Sequence, residues 1–327
     1  MSAVLLIKTT SLGDVLHNLP VVCDIRQHKP TLAIDWCAEE PFCALLKLNP
    51  NIRQTIPVKI RQWRKNLFQA ATWREFAEFK KTLQAENYDK IIDSQGLIKS
   101  ALIAKMAKGK RYGFEESVIK EKFAARFYDE HFLIERKQNA LTRNRQLAAA
   151  VLDYKIDSPP DYGLNPPTVD FPFLPKKPFI VALASSSRAD KMWAKNKWIA
   201  LTRNFADFVF VFTAGNDAER ENVGKIVAHS KNAVLAPPLK LDEIAALITQ
   251  AQAVVGVDTG LTHLGAALKI PTIALFLMSN PTLTGVLGAG FCQNLGGLGG
   301  NPNVDEVAFA LKKAIAQKKV GAENQNF

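Results

Sequence analysis

The stretch Val254-Val255-Gly256-Val257-Asp258-Thr259-Gly260-Leu261-Thr262-His263 is an apolar run that stops at a carboxylate and turns at once into a helical pattern. An apolar run of this length, bounded by turn residues, reads as a buried strand, and small residues open the helix that follows. The first amides of a helix lack intrahelical partners and sit at the positive end of its dipole. Thr259 and Gly260 would let a pyrophosphate come close to them. Simple capping, with Asp258 or Thr259 as N-cap, explains the same residues equally well.

The same grammar recurs on both sides of this run. Upstream, Phe179–Ala184 and Phe208–Thr213 read as strands, the run itself supplies Ala253–Asp258, and downstream Thr272–Phe276 is a fourth. Between and after them, helix patterns cover Lys197–Phe205, Asp217–Ala228, Leu241–Thr249 and Leu261–Leu268. A Gly-rich loop is expected over Gly285–Gly300, a last helix from Val304 to about Lys318, and a polar, frayed tail over residues 321–327. The first half reads likewise: strands Val4–Lys8, Leu32–Cys37, Ile52–Pro57 and Tyr88–Asp93, with helices from near Asp14 and from Leu97 to about Ala107. Strands alternating with helices predict parallel sheets covered on both faces. Seven prolines between Ser158 and Pro178 separate the halves and predict a linker. The expected division is residues 1–160, a linker at 161–178, a second domain at 179–303 and a terminal helix at 304–320.

Polar groups cluster after these strands. Ser186, Ser187 and Lys191 follow the strand that ends at Ala184, and hydroxyls with an ammonium suit phosphate oxygens. Glu219 lies in the first turn of a helix, where it could accept hydrogen bonds from ribose hydroxyls or merely complement the helix dipole. In open α/β sheets such groups share one crevice beyond the carboxyl ends of the strands. In the first half, Lys8-Thr9-Thr10-Ser11-Leu12-Gly13-Asp14 is another strand-to-helix turn, without the spacing of a dinucleotide fingerprint or a P-loop. Asp14 is placed to take a proton from an attacking hydroxyl, or to cap the helix. A basic run, Lys59-Ile60-Arg61-Gln62-Trp63-Arg64-Lys65, reads as a phosphate-binding patch or as a solvated loop.

Charge supports two different ligands. Of the net +11, residues 1–150 carry +9 (25 Lys and Arg against 16 Asp and Glu), and the remainder only +2 (17 against 15). The first half should therefore face something polyanionic: nucleic acid, anionic lipid or a phosphorylated glycan. No apolar run approaches the roughly 18–20 residues that span a bilayer, and the N-terminus has no signal-peptide pattern. Four scattered cysteines predict free thiols, and no His or Cys spacing calls for a metal.

Taken together, these segments resemble the ADP-heptose:lipopolysaccharide heptosyltransferases of glycosyltransferase family 9. The similarity is carried by Ile7–His17, by Ile56-Pro57-Val58 leading to Arg61–Lys65, and by Leu83–Asp89. It continues in Ile92-Asp93-Ser94-Gln95-Gly96-Leu97-Ile98-Lys99-Ser100 and in Val257–Leu264. The resemblance implies an α/β GT-B fold, two facing Rossmann-like doubly wound domains with a central cleft, and an inverting, metal-independent transfer that needs no cofactor. It implies ADP-heptose as donor and Kdo2-lipid A as acceptor, the Gln95–Ser100 run and the Trp-Arg-Lys cluster pointing to the first heptose transfer. It assigns Asp14 as catalytic base. It places Ser186, Ser187, Lys191, Glu219, Leu239, Asp258, Thr259, Gly260 and His263 at the donor, with Asp258 at the heptose hydroxyls. Arg61, Arg64, Lys65 and Lys120 fall at the acceptor, Lys120 and Leu239 where arginine and methionine are more usual. Leu277–Pro281 also departs from the family pattern. The terminal helix should pack back on the first domain.

With a basic first half, this reading implies peripheral attachment to the cytoplasmic face of the inner membrane, roughly 1 kcal/mol per basic residue at an anionic surface. The rivals are a relative acting on a later heptose or another nucleotide sugar, and a nucleic-acid-binding protein, for which no recognised module is present. An NAD-dependent oxidoreductase lacks its glycine fingerprint.

Overall fold

A computed structural model describes residues 2–174 and 176–323. The chain divides into two compact units, residues 1–165 and 166–327. In the first, the strands are β1 (Ala3–Ile7), β2 (Ala33–Glu39), β3 (Gln54–Val58), β4 (Asn87–Asp93), β5 (Lys108–Phe114) and β6 (Glu130–Phe132). Its helices are α1 (Leu12–Leu16), α2 (Leu19–His28), α3 (Glu40–Leu46), α4 (Ile60–Lys65), α5 (Ala70–Leu83), α6 (Ile98–Met106) and α7 (Ala140–Leu152). In the second, the strands are β7 (Phe179–Leu183), β8 (Val209–Phe212), β9 (Ala233–Leu235), β10 (Ala253–Val257), β11 (Thr272–Phe276) and β12 (Cys292–Gly296). Its helices are α8 (Lys195–Arg203), α9 (Asp217–Val227), α10 (Leu241–Gln250), α11 (Gly260–Ala267), α12 (Pro281–Thr284) and α13 (Val304–Glu323).

Both sheets are wholly parallel and share one order: β3-β2-β1-β4-β5-β6 and β9-β8-β7-β10-β11-β12. This is the doubly wound nucleotide-binding order, with the reversal between β1 and β4 and between β7 and β10. The central strands are apolar because helices cover both faces: every residue of β1, β7, β10 and β11 is buried. In the second unit Trp198 lies edge-on to Trp193 and Phe212, filling the space between α8 and the sheet. In the first, Arg145 of α7 forms a bidentate pair with Asp24 of α2 at 2.7 and 2.8 Å, both side chains nearly inaccessible.

Several expectations change. The helix expected near Asp14 is two helices, because Pro20 starts α2 afresh after Asn18. The Gly-rich segment Gly285–Gly300 contains β12, which pairs with β11. The terminal helix packs on the second unit: Val307, Leu311, Ala314 and Ile315 are buried in that unit's core. Its helical pattern puts those apolar residues on one stripe, and the stripe is satisfied there. The helix continues to Glu323, so of the expected frayed tail only residues 324–327 lie outside the described residues.

The Pro-rich stretch has no helix or strand among its described residues, yet it is not a free linker. Asn49 Nδ2 donates to Tyr162 O and Asn165 N to Leu48 O, both at 2.9 Å, which fasten its start to the first unit. Gly163 is left-handed (φ +61°), and a Cβ there would meet Asn49 Nδ2 and Cys23 Sγ at 2.7 Å. Further on, Gln250 Nε2 donates to Val169 O at 2.8 Å, within the second unit. None of the four cysteines is in a disulfide. No helix among the described residues is long and apolar enough to cross a membrane.

Candidate functional site

The second unit gathers its polar groups at the carboxyl ends of four adjacent strands. Asp258 follows β10, and its carboxylate is nearly inaccessible. Lys191, from the loop after β7, donates to Asp258 Oδ2 at 2.5 Å and so spans the strand-order reversal. Ser279, after β11, donates to the same oxygen at 2.5 Å. His263 Nε2 stands 3.7 Å from Oδ1. Burial alone would raise the Asp258 pKa. The contacts from His263, Lys191 and Ser279 outweigh it and hold the carboxyl well below the usual carboxylate range.

Thr259 is the N-cap of α11, its hydroxyl accepting from Leu261 N at 3.2 Å, and Gly260 is the first helical residue. Capping therefore does occur at this turn. Thr262 Oγ1 donates back to Val257 O at 2.7 Å and locks strand to helix. A Cβ on Gly256 would meet that hydroxyl at 2.4 Å and Leu183 Cβ at 2.7 Å, so only glycine lets β10, β7 and α11 close up.

Glu219 Oε2 accepts from Gly215 N at 2.8 Å, and Asn216 Oδ1 caps Glu219 N at 3.0 Å. The carboxylate is thus held at the end of β8, beside the Lys191 loop in strand order. Ser186 and Ser187 follow β7, with Ser186 Oγ accepting from Arg188 N at 3.3 Å. Leu239 is half-buried in the loop after β9, on the same edge. All nine expected donor residues therefore lie on one rim of one sheet. Ser279 was not anticipated, because it belongs to the segment that departs from the family pattern.

In the first unit, Asp14 is in the only turn-and-a-half of α1. Its Oδ2 accepts from Ser11 N at 2.8 Å and from Ser11 Oγ at 3.3 Å. It opens onto a recess of about 130 Å³ also lined by Lys8, Lys120, Arg136 and Arg143. Burial lowers the pKa of Lys8, and the carboxylates of Asp14 and Asp93 oppose that shift. Lys8 Nζ donates to Ser94 O at 2.7 Å. Arg143 lies 4.6 Å over the Phe114 ring and donates to Val118 O at 3.2 Å. Four cations around one carboxylate make a site for an anion next to a base. Of these cations only Lys120 was expected; Arg136 and Arg143 are more than a hundred residues from Asp14 and carry no local pattern.

Arg61, Arg64 and Lys65 are on α4 and do not line that recess. A structural link joins the two places: Lys99 Nζ donates to Thr10 Oγ1 at 2.9 Å, in the loop that leads to Asp14. Burial lowers the Lys99 pKa; Glu39 opposes this and Arg61 and Arg64 add to it, so these charges share one neighbourhood. Among the described residues no three His, Cys, Asp or Glu side chains converge as a metal set.

Two doubly wound units, one with a phosphate-suited rim and one with a carboxylate in a cationic recess, define a nucleotide-sugar transferase of the GT-B type. The chain belongs to glycosyltransferase family 9, the heptosyltransferases, whose profile matches residues 76–312. It is 38% identical to lipopolysaccharide heptosyltransferase 1 of Pseudomonas aeruginosa over 289 residues, 87% of this chain and 81% of that protein. Lipopolysaccharide heptosyltransferase 1 of Escherichia coli K12 is 36% identical, covering 87% of this chain and 91% of its own length. The structure of E. coli heptosyltransferase WaaC with ADP matches with a TM-score of 0.85 at 33% identity, over 97% of this chain and 99% of that one. WaaC with ADP-2-deoxy-2-fluoro heptose matches at 0.82, with 32% identity, over 96% and 99%.

Proposed function

We propose that this heptosyltransferase moves L-glycero-D-manno-heptose from ADP-heptose to the first Kdo of Kdo2-lipid A, building the lipopolysaccharide inner core. The observation that carries the acceptor half is Asp14 in its recess with Lys8, Lys120, Arg136 and Arg143. A Kdo sugar brings a carboxylate and a hydroxyl close together, which matches cations beside a base. Relatives called lipopolysaccharide heptosyltransferase 1 support the choice of the first transfer over a later one.

In this reading Asp14 takes the proton of the Kdo hydroxyl as its oxygen bonds to the anomeric carbon. The bond from that carbon to the diphosphate breaks on the opposite face, which inverts the configuration, and ADP leaves with the electron pair. Lys191, Ser186, Ser187 and the start of α11 at Thr259 and Gly260 bear the charge that develops on the diphosphate. No cofactor or metal is assigned a step. Glu219 takes the ribose hydroxyls, Leu239 flanks the base, and Asp258 and His263 face the heptose. Arg61, Arg64, Lys65 and Lys120 hold the acceptor's acidic groups. Attachment to the cytoplasmic face of the inner membrane is part of the proposal.

The test is ADP release from ADP-heptose with and without Kdo2-lipid A. Turnover that requires Kdo2-lipid A is expected. Turnover only with an already heptosylated acceptor would assign a later step, and tight, salt-sensitive duplex binding without ADP release would favour a nucleic-acid-binding protein.

A further inference from the structure

The first unit carries a second, much larger cavity whose walls are of a different chemistry. It lies between α4–α5 and α6 and has a volume of about 660 Å³, within the range of roughly 300–1,000 Å³ typical of sites for small organic ligands. Its walls are built from Ile60, Trp63, Trp73, Phe76, Leu102 and Ile103. Trp63, Phe76 and Phe79 pack edge-on or tilted at 5.5–6.3 Å and give it a rigid aromatic floor. Trp63 Nε1 and Trp73 Nε1 are engaged by Glu75 Oε2 at 3.0 Å and Leu67 O at 2.9 Å, so both indoles present carbon to the cavity.

Charge at this cavity is of one sign. Arg64, Lys80, Lys99 and Lys105 line it, and no carboxylate does. Its mouth continues into apolar side chains that face solvent: Leu67, Trp73 and Leu102 are exposed and Phe68 is fully so. The short connection between α4 and α5 is held in shape by Thr72 Oγ1, which donates to Asn66 O at 2.8 Å. Contiguous exposed apolar groups ringed by cations are costly in water and mark a surface that meets something apolar and anionic.

We infer that this face is the membrane-docking surface: Leu67, Phe68 and Trp73 enter the interface of an anionic bilayer, and the cavity between α4–α5 and α6 admits an acyl chain of an anionic phospholipid. The charge pattern selects that occupant. A protein partner would leave four cations to be matched one by one, whereas a lipid headgroup layer supplies negative charge in the same plane as the chains. The inference deepens the proposed function, since it says how the enzyme meets an acceptor that resides in a membrane. It also ties α6, whose Lys99 lines the cavity, to the loop of Asp14 through the contact of Lys99 with Thr10.

The experiment uses the full chain with vesicles of phosphatidylcholine alone or with one-third phosphatidylglycerol. Co-sedimentation is expected with the anionic vesicles, and the double variant Leu67→Ser, Phe68→Ser should bind them at least tenfold more weakly. Both residues are exposed, so unfolding is not expected, and circular dichroism checks it. Phospholipid brominated on the acyl chain should quench part of the tryptophan emission, and Trp73→Phe should reduce that part, leaving the share of Trp63, while binding is kept. Equal sedimentation of the double variant and the parent, or quenching unchanged in Trp73→Phe, overturns the inference, as does vesicle-independent self-association abolished by the same variants. Heptose transfer to an acyl-free, soluble Kdo acceptor should be the same in the double variant as in the parent. Absence of transfer by the parent to Kdo2-lipid A would refute the proposed function and leave the vesicle result standing.

Discussion

Lys191 and Asp258 form an ion pair at 2.5 Å across the gap between β7 and β10, the point at which the strand order of the second unit reverses. Doubly wound sheets bind their ligands there because adjacent loops diverge to opposite faces and leave a crevice. The pair closes the floor of that crevice and fixes where the ammonium points. Lys191→Met should weaken ADP binding about 10- to 100-fold, the worth of a charge-assisted contact to phosphate. Calorimetric titration with ADP measures this, and an unchanged affinity would confine Lys191 to a structural role.

Asp258→Asn should destabilise the protein at pH 7 by about 2 kcal/mol, because Lys191 and Ser279 lose a common anionic acceptor in a largely buried place. The carboxyl's pKa in the folded state is depressed below its ordinary 3.8. Its contribution is therefore complete above about pH 4 and is lost as pH falls through the folded value. The stability gap between parent and variant should be constant from pH 7 to 5 and shrink below pH 4. Denaturant unfolding across that range decides it; a gap independent of pH would show that the ionised form adds nothing.

How much of this was legible beforehand differs from place to place. The turn at Asp258–His263 was readable because a wholly buried strand writes a continuous apolar run, and the following helix begins with small residues. β5 was not: Lys108-Gly109-Lys110-Arg111-Tyr112-Gly113-Phe114 has a charged, Gly-containing start that reads as a basic cluster. β12, Cys292-Gln293-Asn294-Leu295-Gly296, is an outermost strand that only parallel pairing with β11 reveals. Ser279 and Arg143 escaped because their meaning lies in what the fold brings beside them. The apolar stripe of the last helix says that it packs but not on which unit; its place in the second unit's core is visible only in the structure.

Gly256→Ala tests the packing behind the site without touching a polar group. The added methyl would press on Thr262 Oγ1 and on Leu183, which belong to a helix and a strand that cannot separate independently. A cost of about 1–3 kcal/mol is expected from overpacking. Since the shift would move α11 relative to β7, ADP affinity should fall as well. Urea unfolding and ADP titration on the same preparation check both; a loss of neither would mean that the strands part easily at the reversal.

Asp14 has two candidate roles that one pair of variants separates. As cap, its side chain needs only an oxygen for Ser11 N, which an amide supplies. As base, it needs a carboxylate. Asp14→Asn should therefore keep the stability of the parent yet lower kcat about 10²- to 10⁴-fold, while ADP affinity stays within about twofold. Asp14→Ala should lose the same activity and some stability in addition. Activity retained in Asp14→Asn would reduce the residue to its cap.

The recess around Asp14 trades stability for binding, and Arg143 is the residue with which to measure the exchange. It lies beside Lys8, Lys120 and Arg136, and burial together with the neighbouring Arg136 lowers its pKa, so its charge is repelled and poorly solvated. An anionic acceptor reverses both terms. Arg143→Met keeps the packing over Phe114 and removes the charge. It should leave the melting temperature unchanged or raise it by a few degrees. At the same time it should raise the acceptor KM about tenfold or more, with ADP affinity untouched and a shallower dependence of KM on salt. A lowered melting temperature with an unchanged KM would make Arg143 a structural strut for Val118 and assign the acceptor's charge to Lys120 and Arg136 instead.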